Sequence, residues 1–278
     1  MGVLDSGIDF DNDDFSDSEG GTRIQFLREY AYDAELEPIT KDWTKAEIDA
    51  NPSAVTEKDG YGSGGHGTHV AGSATGNGSM NADYMGVAPE ADIIFVKGDR
   101  SENSDEGFSD DDIIGVAFIF EKAAELGKPA VVNLSLGGNY GPRDGTSLSE
   151  QFLTQLTGVG KIVVAAAGNE GFDWLHSGFS STEEQINYAT VNFPHDDVSF
   201  DVSVWLDEGT ISQYKVIALD LETDAEVAST PWINFGTHNN DTPEGYRLFD
   251  ATAGVPAGFV YHDSDFAVDE YNGDQQIL

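Results

Sequence analysis

Along the first 170 residues, short aliphatic runs alternate with helix-prone stretches, and this alternation narrows the fold more than any other feature. Val3-Leu4, Ile93-Ile94-Phe95-Val96, Ala130-Val131-Val132-Asn133-Leu134 and Ile162-Val163-Val164-Ala165-Ala166-Ala167 carry almost no polar break. Strands that are apolar on both faces are covered on both faces, so these runs predict an α/β fold, a parallel sheet with helices on both faces. Between the second and third runs, Ser109 is placed to cap a helix opening with Asp110-Asp111-Asp112, acids that the positive end of a helix favours. Ile113, Ile114, Ala117, Phe118 and Phe120 follow, Lys122 sits near the far end, and Gly127 can stop the helix. A short helix is expected over residues 44–50 in an otherwise polar stretch from 29 to 65, and a Gly-, Ala- and Ser-rich helix after His66. Val3-Leu4 is so brief that the chain reads as starting inside a strand, as a partial gene product would.

The character changes after Gly171. Val191-Asn192-Phe193 and residues 198–205, 214–221, 232–235 and 258–261 are short β-prone runs parted by Asp, Gly, Pro and Asn. Strands at this spacing without helices predict a second, antiparallel β-sandwich region. The expected division is an incomplete α/β domain over 1–173 and a β-rich region over 174–278.

Thirteen Lys and Arg against 51 Asp and Glu leave a formal charge of −38. That balance repels nucleic acid and anionic membranes, so neither is an expected partner. With 39% hydrophobic and 11% aromatic residues, there is still enough apolar surface for a core. The acid reads as a strongly hydrated surface and, more sharply, as a fit to high salt, where screening removes self-repulsion. There is no cysteine, hence no disulfide framework and no cysteine zinc site. No run of eighteen apolar residues is present to span a membrane, and no signal peptide precedes Gly2-Val3-Leu4.

In an open parallel sheet, ligands bind beyond the carboxyl ends of the strands. Asp5 ends the first strand, Ser135 follows the third and Gly168-Asn169 follow the fourth, so three polar groups are expected at one crevice. His66 opens a helix after Gly64-Gly65. A carboxylate beside such an imidazole fixes its tautomer and stabilises the imidazolium that forms when it takes a proton from a hydroxyl. His66 and His69 are also spaced as a metal pair, but His69 lies among small and apolar helix residues, where a hydrogen-bonded buried histidine is expected. Gly60, Gly62 and Gly65 meet the G-x-G-x-x-G pattern yet follow polar Thr56-Glu57-Lys58-Asp59 and not a strand, so that match is accidental. Asp9, Asp11, Asp13, Asp14 and Asp17 offer the hard oxygens that calcium takes. A structural calcium and a solvated acidic surface both stay open, and no metal ligand is assigned.

Asp5-Ser6-Gly7-Ile8 followed by Asp11, His66-Gly67-Thr68-His69-Val70-Ala71-Gly72, Gly86-Val87-Ala88-Pro89, Asn133-Leu134-Ser135-Leu136-Gly137-Gly138 and Ala167-Gly168-Asn169 occur in that order. Together these blocks resemble the subtilisin family of serine proteases (subtilases, peptidase family S8) over residues 1–172. The resemblance implies a subtilisin-like fold and an Asp/His/Ser mechanism in which Asp5 orients, His66 is the general base and Asn169 donates to the oxyanion. It further implies that Ser135-Leu136-Gly137 pairs with an extended polypeptide substrate as an added strand, while Gly168 lines the specificity pocket. A secreted, extracellular enzyme that needs no cofactor for its chemistry is implied as well. Gly21-Thr22-Arg23-Ile24, residues 44–50 and the β-rich stretch after Gly168-Asn169-Glu170-Gly171 resemble the subgroup of clostridial germination proteases, in which a jelly-roll domain interrupts the catalytic domain.

The nucleophile departs from the pattern. In that family it lies in Gly-Thr-Ser, followed by a small residue two positions on and a proline two beyond that. The Gly145-Thr146-Ser147 here precedes Asn169, continues as Leu148-Ser149-Glu150-Gln151 without the proline, and is expected at the start of a helix reaching Thr157. The serine is therefore expected past Leu278, and the chain as it stands is expected not to turn over peptides. Two other readings compete: a non-catalytic pseudo-protease that holds peptides in the 135–137 cleft, and an acidic calcium- or sugar-binding adhesion piece carried by the second region.

Overall fold

A computed structural model describes residues 1–32, 38–55, 59, 64–98, 110–138, 144–171, 176–178, 186, 204–206, 213–219, 223, 225–234, 244–250, 255–262 and 275–277. The chain divides into two compact units, Met1–Asn139 with Leu148–Ser177, and Tyr140–Ser147 with Gly178–Leu278. The first unit holds strands β1 (Gly2–Asp5), β2 (Ile24–Tyr32), β3 (Pro38–Thr44), β4 (Ile93–Lys97), β5 (Ala130–Leu134) and β6 (Lys161–Ala165). Its helices are α1 (Lys45–Ala50), α2 (His66–Thr75), α3 (Asp110–Glu125) and α4 (Leu148–Leu156). The strands form one sheet in the order β3-β2-β4-β1-β5-β6, parallel throughout except for β3.

The four aliphatic runs of the sequence are β1, β4, β5 and β6. All four residues of β1 are buried, because it sits between β4 and β5 and is covered on both faces. Alternation splits its side chains: Val3 joins Ile8, Phe15, Leu27, Phe95 and Ala71 of α2 on one face. Leu4 joins Val96, Val132, Leu134 and the α3 residues Val116 and Ile119 on the other. Each large aliphatic or aromatic side chain so buried contributes about 1.5–3 kcal/mol, and the two layers fix the carboxyl end of β1 in place.

The helix over residues 110–125 ends as the sequence predicts. Gly127 has φ +65°, its N–H donates to Ala124 O, and the Lys128 N–H donates to Ala123 O, a Schellman stop. Ser109, the expected cap at the other end, lies outside the described residues. Of the helix's apolar residues, Ile114 is exposed while Phe118 and Phe120 are buried. α1 starts with a capping box in which Thr44 accepts from Glu47 N–H and Glu47 accepts from the Thr44 backbone. Ser147 directly precedes α4, as expected.

The β2–β3 hairpin is absent from the sequence reading, which treats residues 29–65 as polar. A bulge between Ile24 and Phe26 breaks the period-two pattern of β2, and its charges are satisfied sideways. Arg28 forks onto Asp42 across the hairpin and stacks on Phe118, while Glu29 accepts from Trp43 Nε1. The parallel sheet therefore carries one antiparallel edge strand. At the opposite edge no strand pairs with the outer side of β6 among the described residues, and Ile162 and Val164 are about half exposed there.

The second unit contains β7 (Val204–Leu206), β8 (Gln213–Tyr214), β9 (Ile217–Leu219), β10 (Glu226–Ser229), β11 (Ile233–Asn234), β12 (Glu244–Asp250), β13 (Val255–His262) and β14 (Gln275–Ile277). Among the described residues every pairing is antiparallel: β7 with β14, β8 with β11, β9 with β10 and β12 with β13. The expected run Val191-Asn192-Phe193 and residues 198–203 lie outside the described residues.

Scarce cations hold loops of the first unit. Buried Arg23 donates to Asp14 O at 2.7 Å, Ala91 O at 3.1 Å and Thr75 O, the last at the carboxyl end of α2. Lys45 bridges Asp17 at 2.8 Å and Asp49 at 2.9 Å. The Lys45 hydrogen bond, with the Glu19 and Gly21 N–H groups, lowers the Asp17 carboxyl from its ordinary 3.8 to about 2. A group depressed on folding stabilises the native state above its unfolded value, and that contribution disappears as pH falls through the folded value. Unfolding midpoints followed from pH 4 down to about 2 should therefore fall less steeply for Asp17→Asn than for the parent; equal slopes would contradict the assignment.

Candidate active site

β1 lies where the strand order reverses, with β4 to one side and β5 to the other, the place in an open α/β sheet where a crevice opens beyond the carboxyl ends. Asp5 is the last residue of β1 and is fully buried. Its backbone carbonyl accepts from Gly98 N–H, which holds the strand end in the sheet. One carboxylate oxygen, Oδ1, accepts from Ser6 N–H at 2.8 Å and lies 2.6 Å from His66 Nδ1. The other, Oδ2, is buried with no hydrogen-bond partner among the described residues. A buried carboxylate left half satisfied is costly, and a neighbouring cation relieves that cost. The His66 ring is half exposed, and its Nδ1 faces the acid.

The first turn of α2 is fastened to the turn after β1. Gly65 precedes His66 and has no side chain to cap the helix, so the free N–H groups find partners elsewhere. The Gly67 N–H donates to Ser6 Oγ at 3.0 Å, and the Thr68 N–H donates to Asp59 Oδ2 at 2.7 Å. Thr68 Oγ1 accepts from Asp9 N–H at 2.9 Å. Ser6 Oγ also lies 3.1 Å from Asp59 Oδ1 and 3.2 Å from Asp5 Oδ1. Two carboxylates at the positive end of α2 are favoured by the helix dipole. Ser6, Asp59 and Thr68 are absent from the sequence-predicted set; the clue was a helix starting on Gly65, which needs a cap from another segment.

The other predicted residues stand on the same edge of the sheet. Ser135 and Leu136 leave β5 half buried, with Ser135 Oγ accepting from Asn133 Nδ2 at 2.9 Å and Leu136 packed on the α3-side core. Gly137 is exposed. Gly168, at φ +96°, and Asn169 follow β6 and are exposed, and the Asn169 backbone N–H donates to Glu170 Oε2. Among the described residues the Asn169 side chain has no hydrogen-bond partner, and neither it nor residues 135–137 bond to His66. With strands about 4.8 Å apart, β6 lies about 10 Å from β1. Among the described residues, no serine hydroxyl lies within hydrogen-bond distance of His66.

Two expectations about metals meet structural facts. His69 is exposed, not buried. Asp14 Oδ1 accepts from Met80 N–H at 2.8 Å, and among the described residues no three His, Asp or Glu side chains are grouped to hold a metal ion. No described helix is long and apolar enough to cross a membrane.

The contact between α2 and the turn after β1 admits no side chain at position 67. A Cβ there would stand 2.1 Å from Gly7 O and 3.1 Å from Asp5 Cβ, and the nearest obstacle is backbone that cannot swing aside. Gly67→Ala should therefore cost about 1–3 kcal/mol in denaturant unfolding, with His66 pushed away from Asp5. Unchanged stability would show that α2 does not seat so closely.

Over residues 1–196 the chain matches the Subtilase family. It is 33% identical over 131 residues to a subtilisin of Bacillus sp. (strain TA39), covering 47% of this chain and 28% of that protein. It is 39% identical over 107 residues to the major intracellular serine protease of Bacillus subtilis (strain 168), covering 38% of this chain and 30% of that protein. The matches thus span less than a third of either relative's length. The solved structure of the Clostridium perfringens CspB protease superposes with a TM-score of 0.61 at 24% identity, over 99% of this chain and 53% of that one, a likeness of fold. The buried acid on β1, the imidazole on α2 and the match over residues 1–196 agree: the chain belongs to the subtilase family of serine proteases, peptidase S8.

Proposed function

We propose that this chain is part of a serine-type endopeptidase acting on extended polypeptides, with a nucleophilic serine that lies outside residues 1–278. The observation that carries the reading is the 2.6 Å contact between buried Asp5 and half-exposed His66 at the sheet's switch point. In this reading Asp5 holds the Nδ1–H tautomer, leaving Nε2 as the base. Nε2 takes the hydroxyl proton as the serine oxygen bonds to the scissile carbonyl carbon. Asp5 stays ionised beside the imidazolium, which then gives its proton to the leaving amine as the C–N bond breaks; water repeats the cycle on the acyl-enzyme. The Asn169 amide, exposed and without a partner among the described residues, is the proposed oxyanion donor. Ser135-Leu136-Gly137, anchored by Leu136 and exposed at Gly137, is the proposed strand on which substrate pairs, and Gly168 is proposed to line the specificity pocket.

The acidity, −38 at formal count, is the ground for proposing a high-salt setting. Secretion is proposed with it; since one relative is intracellular by name, fractionation of the source cells is the check.

Peptidase assays and fluorophosphonate labelling test the function. A product extended past residue 278 in its own reading frame should be labelled and cleave casein, while residues 1–278 should do neither. In the extended enzyme, Asn169→Ala should lower kcat about 10²–10³-fold with little change in KM, the size of effect measured for a subtilisin side-chain donor. Labelling of Ser135 or Ser147 within residues 1–278 would overturn the proposal. Peptide binding without cleavage by the extended protein would favour the non-catalytic alternative.

A further inference from the structure

Ser6 Oγ carries one proton and stands between two carboxylates, 3.2 Å from Asp5 Oδ1 and 3.1 Å from Asp59 Oδ1. A hydroxyl rotates to whichever acceptor is available. Asp5 Oδ1 already takes the Ser6 N–H at 2.8 Å and faces His66 Nδ1 at 2.6 Å, which uses the two lone pairs of one carboxylate oxygen. A third donor has no place there, so the hydroxyl proton belongs to Asp59. The same hydroxyl oxygen then accepts the Gly67 N–H, and the second Asp59 oxygen accepts the Thr68 N–H at 2.7 Å. One carboxylate thereby ties the Ser6 hydroxyl to the second and third residues of α2, directly behind His66.

We infer that Asp59 is a positioning residue for His66: it takes the Ser6 hydroxyl proton on one oxygen and the Thr68 N–H on the other, fixing the first turn of α2 and reserving Asp5 Oδ1 for the imidazole. The inference rests on the reading of His66 as a base held by Asp5. An asparagine at position 59 has one acceptor oxygen in place of two. It either keeps the Thr68 cap and turns its NH₂ toward Ser6 Oγ, sending the hydroxyl proton to Asp5, or keeps the serine and loses the cap. Both outcomes weaken the hold on His66. A glutamate retains both acceptors.

The test is NMR on residues 1–278 with no substrate present, so it stands or falls independently of proteolysis. It follows solvent exchange of the His66 Nδ1 proton, seen as a low-field resonance, together with exchange of the Thr68 amide. In Asp59→Asn the His66 proton should exchange about tenfold faster, the equivalent of one hydrogen bond to a charged group. Asp59→Glu should exchange nearer the parent rate than the asparagine rate. If Asp59→Asn gives no folded protein, Ser6→Ala carries the test, since it cuts the link and leaves the Thr68 cap. There the His66 proton should exchange faster while the Thr68 amide is unchanged. An unaltered His66 proton in the folded variant, whether or not Thr68 loses protection, would reduce Asp59 to a helix cap and overturn the inference.

Discussion

The first turn of α2 rests on the backbone that leaves β1, and the site follows from that contact. Asp5 is buried because β1 is the central strand, and its position is fixed by the cores on the two faces of the sheet. His66 is where it is because Gly67 lets the helix come within backbone contact of Gly7. Hydrophobic packing thus sets one partner, close backbone approach sets the other, and a 2.6 Å hydrogen bond joins them. A buried carboxylate with one oxygen unpartnered is poorly compensated by itself, and the imidazole beside it is the group that can carry a compensating charge.

α2 is held at both ends by side chains that lie outside it. Asp59 and Ser6 accept N–H groups at its start, and Arg23 donates to the Thr75 carbonyl at its finish. Both placements agree with the helix dipole, anions at the amino end and a cation at the carboxyl end. In a chain with only 13 basic residues, committing a buried arginine to three backbone carbonyls ties β2, the Asp14 loop and α2 into one body.

Much of this could be read from the sequence, for a physical reason. β1, β4, β5 and β6 are apolar on both faces, so composition alone marks them, and strand order then brings Asp5, Ser135 and Asn169 to one edge. The β2–β3 hairpin hides because a bulge interrupts its alternation and because Arg28, Glu29 and Asp42 satisfy one another across the pair. Asp59 hides because its role depends on two hydrogen bonds to residues far apart in the chain, a serine at position 6 and an amide at position 68. His69 misleads: helix composition suggested burial, but the ring falls on the solvent side of α2.

The site turns on Asp5 accepting a proton held on His66 Nδ1. Imidazole ¹⁵N chemical shifts of His66, measured with the ring neutral, report which nitrogen carries the hydrogen. The parent should show the Nδ1–H tautomer, and Asp5→Ala should lose it. A neutral ring protonated at Nε2, or a tautomer indifferent to removal of Asp5, would contradict it.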